Sequence, residues 1–130
     1  MAWKRTVEWT RPNDSVDFGL FSAGPDKHVY DNYEISNKSK SFVMSYSDDG
    51  LIKYHTRIFE NEACRNEFVS DQIIIDESHK RNIVNESRGI SRSVSFDAEY
   101  EGPDLNDAVL AEQATLRKQW FDSGRTPEVE

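Results

Sequence analysis

The sequence predicts an α+β domain of the ferredoxin-like kind: a four-stranded antiparallel sheet with two helices on one face, plus an appended C-terminal helix. Three observations carry this. Segments near 2–10, 41–46, 51–58 and 90–100 alternate apolar and polar residues at the period-two spacing of half-buried strands. The middle two form one stretch, "SFVMSYSDDGLIKY" at 41–54, which reads as a hairpin around an Asp-Asp-Gly turn. Helical spacing fills the intervals before and after it, so the order is strand, short helix, hairpin, long helix, strand. The domain spans 1–102, the added helix 103–121 and a flexible acidic tail 122–130.

"WKRTVEWT" sets Val7 and Trp9 on one face, making residues 2–10 a strand that Arg11-Pro12-Asn13-Asp14 ends. "SVDFGLF" places Val16, Phe18 and Leu20 together, as an extended segment or a flap over the sheet. In "GPDKHVYDNYEI", Pro25 suits a first helical position and Asp26 a first turn, with Val29 and Tyr33 facing the core. For the hairpin, a three-residue loop Asp48-Asp49-Gly50 pairs Tyr46 with Ile52 and Met44 with Tyr54. Phe42, Met44 and Tyr46 then share a face with Ile52, Tyr54, Thr56 and Ile58. His55, between Lys53 and Arg57, falls on the opposite, solvated face.

Asn61 can cap the long helix, in which Cys64, Phe68 and Ile75 form an apolar stripe, with a bend near Asp71. Gly89 ends it as a left-handed cap with Ile90 packing back. "ISRSVSFDAEYEG" puts Val94, Phe96, Ala98 and Tyr100 on one face of a last strand. In the tail, Asp104 caps a helix whose stripe is Leu105, Val109, Leu116 and Trp120. That narrow stripe needs a groove, on its own sheet or on a neighbouring subunit.

Composition limits the partners. The chain has 130 residues, one cysteine and a formal charge of −8, of which residues 97–130 carry −6. Such a chain holds one domain and no internal disulfide. No run approaches the roughly 20 apolar residues of a membrane helix, nor the apolar core of a signal peptide, so a cytoplasmic location is expected. No basic face offers itself to phosphates, so nucleic acid is not an expected partner.

No residue is assigned to catalysis, a cofactor or a metal. Asp48 and Asp49 are turn formers rather than paired acid–base carboxylates. His28, His55, His79 and Cys64 lie on separate elements, and Asp76 with His79 is at most a two-ligand pair. Cys64, stacked on Phe68, reads as a small buried hydrophobe. Trp3, Trp9, Tyr46 and Tyr54 fill core or interface, or line an aromatic pocket.

With the elements placed, "SFVMSYSDDGLIKYHTRIFENEACRNEFVSDQ" with "VNESRGI" resembles the hairpin, helix and glycine-capped return of dimeric α+β barrel proteins, the antibiotic-biosynthesis-monooxygenase-like group. That resemblance implies a homodimer with packed sheets, and it transfers no catalytic residues. "WKRTVEWTRP" with "SDDGLIK" is similar to small accessory or virion proteins of large tailed bacteriophages, which implies a host-cytoplasm or virion setting. The leading expectation is thus a non-enzymatic assembly protein. It self-associates through its sheet, as a dimer, with Leu105, Val109, Leu116, Trp120, Val43 and Leu51 as interface residues, and its tail helix is open to a protein partner. The alternative is a cofactor-free barrel enzyme acting on a small aromatic or lipophilic molecule. A roomy cavity with convergent polar side chains separates the second from the first.

Overall fold

A computed structural model describes residues 1–19 and 23–102. Their order is β1 (Ala2–Thr10), α1 (Ala23–Val29), a π-helical segment (Tyr30–Glu34), β2 (Ser39–Tyr46), β3 (Ile52–Phe59), α2 (Glu62–Ser70), α3 (Gln72–Ser87) and β4 (Ser91–Tyr100). The strands make one open antiparallel sheet in the order β2-β3-β1-β4. The fold is therefore α+β, as the alternation requires. Leu20 and the expected tail helix with Leu105, Val109, Leu116 and Trp120 lie outside the described residues.

The hairpin register differs from the expected one. Tyr46 faces Lys53, Met44 faces His55 and Phe42 faces Arg57, so facing numbers have an odd sum. The loop has four residues, Asp48 to Leu51, closed by Ser47 N–H donating to the Ile52 carbonyl at 2.9 Å. Contacts from far along the chain select it. The Arg11 backbone N–H donates to the Leu51 carbonyl at 2.9 Å, and Arg11 Nε to the Gly50 carbonyl at 2.9 Å. Asp49 Oδ1 also accepts from Leu51 N–H at 3.0 Å, and Gly50 takes the left-handed φ of 72° for which glycine has no steric cost.

One extra loop residue inverts β3 relative to β2. Lys53, His55 and Arg57, expected in water, now share a face with Phe42, Met44, Arg5, Val7 and Trp9. Tyr54, Thr56 and Ile58 turn to the other face, with Val43. Val43 and Ile58 are buried there, and Leu51 is a half-buried loop residue.

β4 departs from simple alternation too. Its register against β1 shifts between Thr6 and Val7, pairing Thr6 with Phe96 but Val7 with Val94. The bulge puts Val94 on the Val7 face and leaves Phe96 on the other, where Lys4 Nζ lies 5.4 Å from the Phe96 ring centre.

The helices meet the sheet on the Val7 face. Phe68 of α2 packs edge-on against Phe59 at 5.3 Å between ring centres, and Arg81 of α3 lies 4.8 Å over the Trp9 ring. Val7, Trp9, Phe18 and Ile90 form the buried apolar cluster, with Val16 against it. The expected long helix is two helices. Asp71 stops α2 in an extended conformation (ψ 119°) and caps α3 by accepting from Ile73 N–H at 3.0 Å. Asn61 caps α2 through Cys64 N–H at 2.9 Å. Gly89 has φ 75°, and Ile90 N–H reaches back to the Asn85 carbonyl at 2.9 Å, the glycine-capped ending expected.

The break at Asp71 resets the helical phase. Ile75, expected inward, is 40% exposed, whereas Ile74 is buried. Cys64 is half-buried rather than sealed in the core.

Candidate functional site

α3 is built inside out. Its buried positions are Ile74, Glu77, Arg81 and Asn85, one stripe at helical spacing, while Ile73, Ile75 and Ile83 are 40–54% exposed. Burying a charged or amide side chain is unfavourable unless it is bonded or has a task. Asn85 has a structural one. Its Oδ1 accepts from the buried N–H of Gly19 at 2.8 Å, pinning the Phe18–Gly19 segment across α3. A Cβ on Gly19 would stand 3.0 Å from that oxygen and 3.3 Å from Arg81 Cγ, so the close approach depends on glycine.

Between α3 and the sheet lies a cavity of about 470 Å³. That volume is within the ordinary range of small-molecule sites. Its floor is the Val7 face of the sheet, and its roof comes from α1, the π-helical segment, α2 and α3. Two kinds of side chain line it. Trp9, Phe42, Phe59, Phe68 and Met44 supply an apolar and aromatic wall. Arg5, Lys53, Arg57, Arg81 and Arg92 supply five cations, against the carboxylates of Asp26 and Glu34.

The cations are positioned by the sheet and by rings. Arg57 Nη1 donates to Ser39 Oγ at 2.6 Å and to Glu34 Oε1 at 3.3 Å, with its guanidinium 4.4 Å over Phe42 and 4.9 Å over Phe68. Lys53 is buried and lies 5.7 Å from the Phe18 ring centre. Arg81 of α3 and the exposed Arg92 of β4 lie 4.8 and 6.0 Å from the Trp9 ring centre. Arg5 is 3.8 Å from Asp97, whose other partners are Arg65 and, at 2.5 Å, Trp3 Nε1.

Burial acts on these charges. It pushes the Arg81 guanidinium down to about 9, helped by the like charges of Arg92 and Arg5 and opposed by Glu77 and Asp26. Arg5 is lowered by burial and then by Arg92, and Arg92 by burial alone. Burial also opposes ionisation of Asp97, but hydrogen bonds from Arg65 and Trp3 outweigh it and hold the carboxyl below its usual range. Arg81 and Lys53 are thus buried cations, with Arg5 partly buried beside them and Arg92 exposed at the edge.

His55 sits within the aromatic wall, its ring 4.7 Å from Trp9 and 5.2 Å from Phe42 in edge-on contacts. His28 is elsewhere. Its Nε2 lies 2.7 Å from Asp71 Oδ2, which also accepts from the buried Tyr33 hydroxyl at 2.7 Å. That cluster ties the π-helical segment to the α2–α3 junction. His79 is exposed on α3 where it borders the cavity, and Asp76 accepts from Gln72 at 2.7 Å. Asp48 and Asp49 are exposed at the hairpin tip. Among the described residues, no three His, Cys, Asp or Glu side chains gather as a metal site, and no helix is long and apolar enough to cross a membrane.

Arg5, Lys53, Arg57, Arg81 and Arg92 were not among the residues singled out from sequence. For Lys53 and Arg57 the reversed hairpin register hid them. For Arg81 a signal existed: "DESHKRNIVNES" has no apolar stripe, so a helix there must turn polar groups inward or stand in water. Compared with known proteins, the chain matches no family model, no curated protein and no solved structure.

Proposed function

We propose that this chain is a ferredoxin-like domain that binds a small aromatic or lipophilic molecule between its helices and its sheet. The observation that carries this is the cavity of about 470 Å³, floored by Trp9, Phe42 and Met44 and roofed by Phe68. A fold that only assembled with copies of itself would gain by closing that space, since voids forfeit packing energy. The ferredoxin-like reading rests on the strand order β2-β3-β1-β4 with every neighbour antiparallel. The resemblance to dimeric α+β barrel proteins fits a ligand of this kind, and it remains part of the proposal.

The reading is one of binding. His55 lies in the aromatic wall, edge-on to Trp9 and Phe42, where it adds to the surface a flat ring would stack on. Self-association through the sheet keeps one supporting observation: the edge strand β4 leaves Val94 42% and Phe96 41% exposed. It stands as a second reading, with another copy of the chain as occupant.

The test uses the neutral fluorophore N-phenyl-1-naphthylamine. Its emission should rise saturably, at one molecule per chain, as it leaves water. Met44→Trp and Ser78→Trp fill the cavity from floor and roof, and either variant, folded by circular dichroism, should abolish the rise. Absence of saturable binding, or binding that survives both fillings, overturns the proposal.

A further inference from the structure

Resting on that reading, we infer that the ligand is an anion, its aromatic body against Phe42, Phe59 and Phe68 and its acidic head held by Arg5, Arg81 and Arg92. The chain as a whole carries −8, so positive charge inside it is not a by-product of composition. Five cationic side chains line the cavity and two carboxylates do. Widening the shell to Glu77, which acts on Arg81, to Asp97, which Arg5 shares with Arg65, and to Glu62, which acts on Arg65, gives six cations against five carboxylates. The excess survives. Arg5, Arg81 and Arg92 line one cavity and act on one another as like charges, and an entering anion relieves that repulsion.

Unpaired donors give a second, independent observation. Trp9 is 3% exposed, yet its Nε1 has no hydrogen-bond partner among the described residues; the buried Nε of Arg5 has no hydrogen bond either, its ion-pair contact with Asp97 being 3.8 Å long. Both residues line the cavity. Buried polar groups are seldom left unbonded, and two donors beside a cationic cluster are complementary to the oxygens of an acid. Arg92, exposed where β4 meets the cavity rim, is placed to meet the head group as it enters. The head is a carboxylate, sulfonate or phosphate ester, all of which present two or more acceptor oxygens to guanidinium groups.

The experiment compares N-phenyl-1-naphthylamine with 8-anilino-1-naphthalenesulfonate, which adds an acidic group to the same ring framework. Wild-type protein should bind the sulfonate about tenfold more tightly or better, the worth of one or two hydrogen bonds to a charged partner. Trp9→Phe deletes the donor and trims the floor, so it is read as a ratio of the two probes; Arg92→Gln removes a rim charge without opening the core. Each should cut the preference for the sulfonate over the neutral probe by about tenfold, and Arg92→Gln should leave the neutral probe within about twofold. Displacement by 1-naphthoate or by 1-naphthyl phosphate then separates a carboxylate from a phosphate head, and either supports the inference. Equal binding of both probes overturns it while leaving the cavity reading intact. A sulfonate preference untouched by both variants also overturns it, because the anion then sits elsewhere. Failure of the neutral probe to bind, whatever the sulfonate does, overturns the cavity reading itself.

Discussion

Asp71 shows how much one carboxylate organises. Its Oδ1 caps α3, and its Oδ2 accepts from Tyr33 and lies against His28, so one side chain joins three elements. Burial opposes its ionisation, but the bonds from His28, Tyr33 and Ile73 N–H outweigh burial and lower its pKa from 3.8; Asp97 is lowered likewise. A carboxyl lowered in the folded state adds stability that is complete above its unfolded value and lost as pH falls through the folded one. The protein should therefore hold its denaturant midpoint down to about pH 4 and lose stability below it. In Asp71→Asn the decline should be shallower, and urea titrations at stepped pH measure both. Asp71→Ala removes the cap and a partner of the buried Tyr33 hydroxyl, with an expected loss of about 2–4 kcal/mol at neutral pH.

At the scale of elements, α3 inverts the usual rule, and that makes a contrast testable. Ile83 is 54% exposed, so Ile83→Lys should change stability by no more than about 0.5 kcal/mol in urea denaturation. Asn85→Ala, two residues on, should cost about 1–3 kcal/mol, because it leaves the buried N–H of Gly19 without its acceptor. A hydrophobicity reading of the helix orders these two the other way. Much of the element plan was legible beforehand: β1 with Val7 and Trp9 inward, the caps at Asn61 and Gly89, and the interruption near Asp71. Those features are local, written in residues no more than a few positions apart. The hairpin register was not. It turns on one loop residue, and Arg11, some forty positions earlier, selects it through Gly50 and Leu51.

For the whole molecule, a chain of net charge −8 holds a cavity lined by five cations and two carboxylates. The net negative charge favours solubility. It also sets a field against anions in bulk water, so on the proposed reading an anionic ligand would gain from Arg92 at the rim and then from Arg5 and Arg81 inside. Self-association belongs to this scale too. If a second copy covers β4, the 15.0 kDa chain should sediment at twice its mass, and Phe96→Glu should return it to monomer with unchanged circular dichroism. Sedimentation as a monomer over a hundredfold range of concentration removes that second reading and leaves the cavity proposal standing.

By itself the amino-acid sequence determined the α+β class, the order of the four strands, and the helix ends at Asn61 and Gly89. Those follow from periodicity and from residues whose side chains bond their own neighbourhood. Only the tertiary structure decided which side of β3 met the helices and where β4 bulged, and hence that Lys53, His55 and Arg57 share a cavity lining with Arg81 and Arg92. Alternation marks residues that share a face without saying which face is covered. That choice depends on loop length, on the bulge between Val94 and Phe96, and on the helical phase after Asp71.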